Sequence, residues 1–480
     1  MTTILWFRQD LRTDDNPALL VAAARGPVIP VYLWAPEDEG EWPYGGASRW
    51  WLHHALAALE TRLAALGSRL VVRTGRAVSA LPKLLKETGA TRVVAARRYE
   101  PAAAAVEAEL AERLGPAFER VDSSLLHVPE SIRTGTGLPY QVYTPFAKNC
   151  RMQAKPPRPQ RAPSSLEAPP TWPRSEPLDA LGLLPTIDWA AGMRAAWTPG
   201  ETGALAALRA FVAGPVARYA LERDLPAVVG TSRLSPHLHF GEISPRRAWY
   251  AVEDALRKAD NAEFSRNAEK YLAELLWREF GHHVLVHFPH TPTSPLRAEY
   301  AAFPWRRDKA TLRAWQRGVT GYPLVDAGMR ELWATGWMHN RVRMVVASFL
   351  VKHLLHSWLD GARWFWDTLV DADLANNTLG WQWAGGCGAD AAPYFRIFNP
   401  VLQGEKFDTD GAYVRRWVPE IARLPNDALN APWKAPSSAL ARAGVTLGVT
   451  YPQPIVAHDE ARERALAALA EVSLAKGARS

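Results

Sequence analysis

The chain has 480 residues, of which 48% are hydrophobic and 22% charged, with a net charge of +7; this excludes a disordered chain and points to about two to four folding units. Only two cysteines occur, Cys150 and Cys387, which excludes a disulfide-built secreted scaffold and favours a reducing, cytoplasmic setting. Charges inside the first apolar run (MTTILWFRQDLRTDD), and Arg343 and Lys352 inside the longest one (Val342–Leu355), speak against a signal peptide and a transmembrane helix.

The first third alternates between two periodicities. Thr2–Phe7, Val28–Trp34, Leu70–Val72, Arg92–Ala96 and Phe118–Val121 read as strands. Between them, Arg49–Leu66, Ala80–Glu87 and Ala102–Leu114 have helical spacing, and Asp14-Asp15-Asn16-Pro17 reads as a helix cap followed by proline in the first turn. Such alternation predicts an α/β domain with a parallel sheet, over residues 1–130. No GxGxxG turn follows the first strand, so a dinucleotide site of that kind is not expected there.

Ten prolines fall between Lys155 and Pro199, which marks residues 131–202 as an extended linker. Residues 203–480 are helical in pattern, giving an all-α domain. The main candidates are Ala204–Ala213, Pro245–Ala259, Ser265–His283, Leu312–Arg317, Tyr322–Thr335, Met338–Trp358, Ala362–Val370 and Ala457–Lys476.

The chain lacks a P-loop, a GxSxG elbow and an HExxH motif. His237/His239, His282/His283 and His353/His356 are pairs without further ligands, so no metal is expected. The composition is unusual in its 21 tryptophans, and Arg297–Arg343 holds nine basic against four acidic residues, a footprint suited to phosphates. On a helix, Glu274, Trp277 and Arg278 share one face, as do Asn340 and Met344, while Arg343 points elsewhere and could meet a carboxylate. The stretch Asp371–Trp383 combines two acids, two asparagines, a glycine and two tryptophans; it should be a poor helix and a good binding segment. Gly230–Ser235 offers hydroxyls and backbone amides ahead of a helix, as a phosphate cradle would.

Taken together, the motifs WFRQDLRTDDNPAL, GTSRLSPHLHFGEIS, TGYPLVDAGMRELWATGWMHNRVRM, DADLANNTLGWQW and NPVLQGEKFDTDGAYVRRWVPE resemble the photolyase/cryptochrome family of flavoproteins over nearly the whole chain. The resemblance implies an α/β antenna domain of Rossmann-like type joined to a helical, FAD-binding catalytic domain. It assigns Tyr219, Thr231, Ser232, Arg233, Leu234, Ser235, Tyr271, Arg278 and Asn340 to the cofactor, Arg343 and Asp371 to an ion pair beside the flavin ring, Asp373 to a flavin-contacting acid, and Asn376 to the position facing flavin N5. Trp381, Trp358 and Trp305 fall at the family's electron-transfer positions. Glu274, Trp277, Asn340, Arg341, Met344 and Trp383 correspond to the surface that receives a flipped pyrimidine dimer from DNA.

Within the family, (6-4) repair enzymes carry two histidines where this chain has Asn340 and Met344, and plant-type cryptochromes carry an acid at the Asn376 place and a long C-terminal tail. The mixture here is most similar to bacterial class III cyclobutane pyrimidine dimer (CPD) photolyases, which implies light-driven repair by electron transfer from excited FADH⁻. The alternative is a plant-like cryptochrome photoreceptor with little or no repair, and a (6-4) photolyase is the more distant one. The resemblance further implies UV-damaged DNA as partner, no membrane association, a monomer, and 5,10-methenyltetrahydrofolate as antenna, with Glu37–Trp51 as the stretch that could meet it. A structural helix entry would give the same stretch.

Overall fold

The computed structural model describes residues 1–259 and 261–477. Their contacts gather into two compact units: Met1–Ala220 with Thr231–Pro289 and Val370–Ala375, and Leu221–Gly230 with His290–Leu369 and the chain from Asn376 onward.

In the first unit, β1 (Thr3–Phe7), β2 (Val28–Trp34), β3 (Val71–Thr74), β4 (Arg92–Ala96) and β5 (Phe118–Val121) form a parallel sheet of order β3-β2-β1-β4-β5. Ile4 lies opposite Ile29 on one side and Val93 on the other. Every residue of β1 is buried, because a parallel sheet is covered on both faces and its strands are apolar throughout rather than alternating. The connecting helices are α1 (Pro17–Ala23), α2 (Gly46–Ala65), α3 (Ala77–Thr88) and α4 (Pro101–Leu114). Asn16 caps α1 through Oδ1, which accepts from the Leu19 N–H at 3.1 Å, and Pro17 opens the helix. The α/β expectation holds strand for strand.

After β5 the chain forms α5 (Tyr143–Met152), crosses the proline-rich stretch with the short α6 (Ala191–Ala196), and continues into α7 (Glu201–Ala213), α8 (Tyr219–Glu222), α9 (Ser235–His239), α10 (Pro245–Lys258) and α11 (Ala262–His287). Buried charges tie the sheet's loops to these helices. Glu201 accepts from the Thr13 and Asp14 N–H groups at 2.9 and 3.1 Å. Asp15 meets Arg246 at 2.7 Å. Arg12, 1% exposed, donates to the Gly241 carbonyl at 2.9 Å. Gly241 itself has φ +65°, and a Cβ there would fall 2.0 Å from the Gln9 carbonyl, so this approach requires glycine.

The second unit is helical: α12 (Lys309–Arg317), α13 (Pro323–Thr335), α14 (Asn340–Ser348), α15 (Trp358–Thr368), most of α16 (Leu374–Gly385) and further helices up to His458–Gly477. Two expectations are corrected here. The apolar run read as one helix, Met338–Trp358, is broken. His339 caps α14 with Nδ1 accepting from the Arg341 N–H. The far end widens into a π turn at Phe349–His353, Leu355 turns the chain at φ +56°, and Ser357 caps α15 by accepting from the Leu359 N–H at 3.2 Å. Local capping thus outweighs continuous apolar periodicity. Conversely, Leu374–Gly385 is a helix despite its poor composition. Gln382, 2% exposed, donates to the Thr291 and Ser294 carbonyls at 2.7 and 2.9 Å and accepts from the Leu296 N–H at 2.9 Å, and tertiary ties of this kind override weak propensity. Among the described residues no single helix is long and apolar enough to cross a membrane.

Candidate functional site

In the first unit the candidate residues gather on α11 and on the segments Tyr219, Thr231–Ser235 and Val370–Asp373. Glu274, Trp277 and Arg278 share a face of α11, as their spacing requires, and all three are half-buried. Arg278 donates to the Ser124 carbonyl at 2.9 Å. The Trp277 indole lies flat on the Tyr143 ring, with centroids 3.7 Å apart and planes within 6°, and Phe280 meets it edge-on at 5.8 Å. The next carboxylate along the helix, Glu279, is buried and accepts from the Leu126 and His127 N–H groups at 2.8 and 3.0 Å; burial pushes its pKa up to about 7.

Tyr219 and Tyr271 pack edge to face at 5.4 Å, and the Tyr271 hydroxyl donates to Ser232 Oγ at 3.5 Å. Thr231–Ser235 precedes α9 directly and turns at Arg233, φ +51°. Asp371 and Asp373 are buried just ahead of α16. Burial opposes the charge on Asp373, but His282 at 3.6 Å, His239 at 3.9 Å and Arg278 outweigh it and hold the carboxyl below the usual carboxylate range. His282 has its Nδ1 on the Arg278 carbonyl at 3.0 Å, so its other nitrogen faces the acid. The histidine pairs thereby take separate places: His239 and His282 flank Asp373, His237 bonds Glu242, His283 accepts from the Tyr140 N–H at 2.9 Å, and His353 pairs with His458.

In the second unit, Asn340 is exposed at the first turn of α14, with Met344 half-buried one turn later. Arg341 pairs with Asp224 at 2.9 Å and lies 4.4 Å over the Phe407 ring, and Arg343 donates to the Met338 carbonyl at 2.8 Å. On α16, Asn376 and Asn377 are half-buried, and Asn377 Nδ2 donates to the Ala362 carbonyl at 3.0 Å. Trp381 and Trp358 are 2% and 4% exposed, while Trp305 and Trp383 are half-exposed. The Trp381 ring packs against Phe365 at 4.9 Å and Trp315 at 6.1 Å. It lies so close to the α15 backbone that a Cβ on Gly361 would fall 2.0 Å from a ring atom.

The first unit has a separate cleft of about 400 Å³, open mouth included, where β1 and β2 end. Trp6, Tyr32 and Tyr44 give it flat walls, and Arg8, Arg98, Asp38 and Glu39 give it charge. Within Glu37–Trp51, Asp38 caps α3 at the Ala77 N–H (2.8 Å), Glu39 pairs with Arg98 at 2.6 Å, and Trp51 donates to Glu242 at 2.9 Å. Part of this stretch therefore builds the fold, and Tyr44 lines the cleft.

Tyr143, Gly361 and Asp224 escaped the sequence reading. No period or motif marks a lone tyrosine in a linker, a helical glycine or a loop acid.

The donor set suits FAD. The hydroxyls of Thr231, Ser232 and Ser235 and the adjacent amides match a pyrophosphate in kind. His239, 4% exposed, faces Asp373 with Nδ1 and keeps its buried Nε2 without a hydrogen bond, which is costly unless a ligand meets it.

Residues 3–164 match the family described as DNA photolyase and residues 271–471 the FAD binding domain of DNA photolyase. A deoxyribodipyrimidine photo-lyase of Agrobacterium fabrum is 51% identical over 98% of both chains. Cryptochrome-2 of Arabidopsis thaliana is 41% identical over 96% of this chain and 77% of its own. The crystal structure of a bacterial class III photolyase from Agrobacterium tumefaciens superimposes with a TM-score of 0.94 at 50% identity, covering 98% of each chain. With an α/β domain and a flavin-binding helical domain both matched, the chain belongs to the photolyase/cryptochrome family.

Proposed function

We propose that this protein is a deoxyribodipyrimidine photo-lyase of the class III type, a carbon–carbon lyase that splits cyclobutane pyrimidine dimers in UV-damaged DNA in a light-dependent reaction. The observation that carries this reading is the face of α11 on which Glu274, Trp277 and Arg278 stand together, in a chain whose relative of 51% identity bears that enzyme's name.

Bound FAD in its reduced anionic form supplies one electron on absorbing near-UV or blue light, and regains it when the ring has opened. The protein's own groups do the rest. Trp277 and Trp383 offer flat apolar walls to an extruded dimer, and extrusion costs less for a dimer than for a sound base pair because the dimer pairs poorly. Glu274 bonds the dimer's base edge through its carboxyl group and fixes the orientation of the base there. In this reading Asn340 and Met344 are further residues for the dimer, and Arg341 serves the phosphates. Tyr219, Thr231–Ser235, Tyr271 and Arg278 hold the cofactor. Arg343 with Asp371, together with Asp373, set the charge around the flavin ring. Asn376 offers it an amide, which hydrogen-bonds a reduced anion without adding negative charge; Asn377 beside it is the second amide of that turn, and Asp variants of each, read by the flavin midpoint potential, separate the two.

Trp381, Trp358 and Trp305 form the route by which an oxidised flavin is reduced again, in an order from buried to half-exposed that suits conduction toward solvent. The antenna in this reading is 5,10-methenyltetrahydrofolate; the cleft walled by Trp6, Tyr32 and Tyr44 suits a flat chromophore. Gently purified protein then shows a near-UV band beyond that of flavin, and a spectrum of flavin alone contradicts the antenna. The setting is a monomer in a reducing cytoplasm, in keeping with Cys150 and Cys387, both free and buried.

The test is Glu274→Ala. Flavin content is expected to stay as in the wild type while the yield of dimer splitting per absorbed photon falls severalfold; an unchanged yield contradicts the role of this acid.

A further inference from the structure

We propose that Tyr143, in the segment between the sheet and the helical domain, is a positioning residue of the lesion surface, acting through Trp277. The inference rests on the reading of Trp277 as a wall for the extruded dimer. Tyr143 is the first residue of α5. Its ring stacks on one face of the Trp277 indole, with centroids 3.7 Å apart and planes nearly parallel. Its hydroxyl donates to the Ala273 carbonyl at 2.7 Å. In an α-helix that carbonyl is also the acceptor of the Trp277 N–H, four residues on. The tyrosine therefore spans the single turn of α11 that carries both Glu274 and Trp277, clamped at its hydroxyl and lying flat on the indole at its ring.

The clamp is itself held. α5 packs along α11 through Phe146 against Phe280 at 5.2 Å and against His283 at 5.0 Å, and Phe280 closes the edge of the Trp277 indole. An exposed tryptophan samples several rotamers, and a ligand that needs one of them loses affinity in proportion to the fraction of time that rotamer is absent. Tyr143 removes this loss by fixing the indole before DNA arrives. One indole face belongs to Tyr143, so a dimer has only the other to pack on. Tyr143 touches neither substrate nor cofactor in this account, so it acts on the binding of damaged DNA and leaves the splitting of a bound dimer untouched.

The experiment uses the flavin-loaded full chain with Tyr143→Ala, Tyr143→Phe and Trp277→Ala. Dissociation constants are measured for one oligonucleotide with and without a single thymine dimer, together with the splitting yield at saturating enzyme. The expected result for Tyr143→Ala is a rise of about fivefold in the dissociation constant for dimer-containing DNA. Affinity for undamaged DNA, splitting yield of the bound complex and flavin content stay as in the wild type. Tyr143→Phe, which keeps the stacked ring, restores binding to within about twofold of wild type. In the Trp277→Ala background the Tyr143→Ala change has no further effect. If Tyr143→Ala does not retain flavin, Tyr143→Leu, which fills the space without a flat ring, takes its place in the comparison. Equal weakening for damaged and undamaged DNA, unchanged discrimination in Tyr143→Ala, or a Phe variant as weak as the Ala variant overturns the proposal. Trp277→Ala that still discriminates removes the wall on which the proposal rests, and so overturns it too. A wild-type protein that binds dimers selectively but does not split them refutes the repair function and leaves the positioning role standing.

Discussion

Glu279 spends its carboxylate on two backbone amides in the interior, beside a surface that the neighbouring Glu274 and Trp277 present outward. Its pKa rises from the ordinary 4.5 to about 7 because burial disfavours the charge more than Arg278 and the amides favour it. An acid whose folded pKa is raised binds its proton more tightly in the native state. Stability from this group is therefore full below about pH 4.5 and is lost as the pH climbs to about 7, an effect of about 3 kcal/mol at most. Glu279→Gln keeps an oxygen for the two amides and removes the charge. Its thermal midpoint is expected to match the wild type near pH 5 and to exceed it increasingly toward pH 8; a gap independent of pH contradicts the assignment. His283 is bound the opposite way: burial lowers its pKa to about 4, so it stays neutral and accepts from the Tyr140 N–H.

Helix α15 and the tryptophan of α16 meet at a contact no side chain mediates on one side. A Cβ at Gly361 would occupy the Trp381 ring, so Gly361→Ala must displace the indole. Photoreduction of oxidised flavin is expected to slow severalfold, as in Trp381→Phe, while dimer splitting by pre-reduced protein continues; a variant with wild-type photoreduction contradicts the place of Trp381 in the route. This contact was invisible in the sequence, since a glycine within a helical pattern carries no partner's name. The strands were legible because a doubly covered parallel sheet is apolar at every position, and the α1 cap because Asn16-Pro17 is chemically specific. The break between α14 and α15 was not: Val342–Leu355 keeps an apolar pattern interrupted only by Arg343, Ser348, Lys352 and His353, none of which stops a helix, and only Ser357 and the φ of Leu355 betray the stop. The Asp371–Trp383 stretch, helical from Leu374 onward, was misjudged for the reverse reason, the support of Gln382 coming from segments far away in sequence, at Thr291–Leu296.

Across the molecule, net charge and tryptophan content pointed toward a phosphate-bearing partner and an aromatic site without naming either. Several indoles are structural: Trp50, Trp51 and Trp315 are at most 2% exposed and pack the interior. The resemblance to the family, not abundance, singled out the few to which a role is assigned. Within Arg297–Arg343, Arg330 is committed to Glu420, and Arg341 answers to Asp224 as well as to any phosphate. The central claim is tested most directly by irradiating flavin-loaded, pre-reduced protein with an oligonucleotide bearing one thymine dimer and counting intact thymines by chromatography, with a dark control. The account predicts that thymines reappear only in the light, over many turnovers, with the flavin still reduced at the end. Dimers that persist under light, in a protein whose flavin nonetheless photoreduces normally, would contradict it and identify a photoreceptor instead.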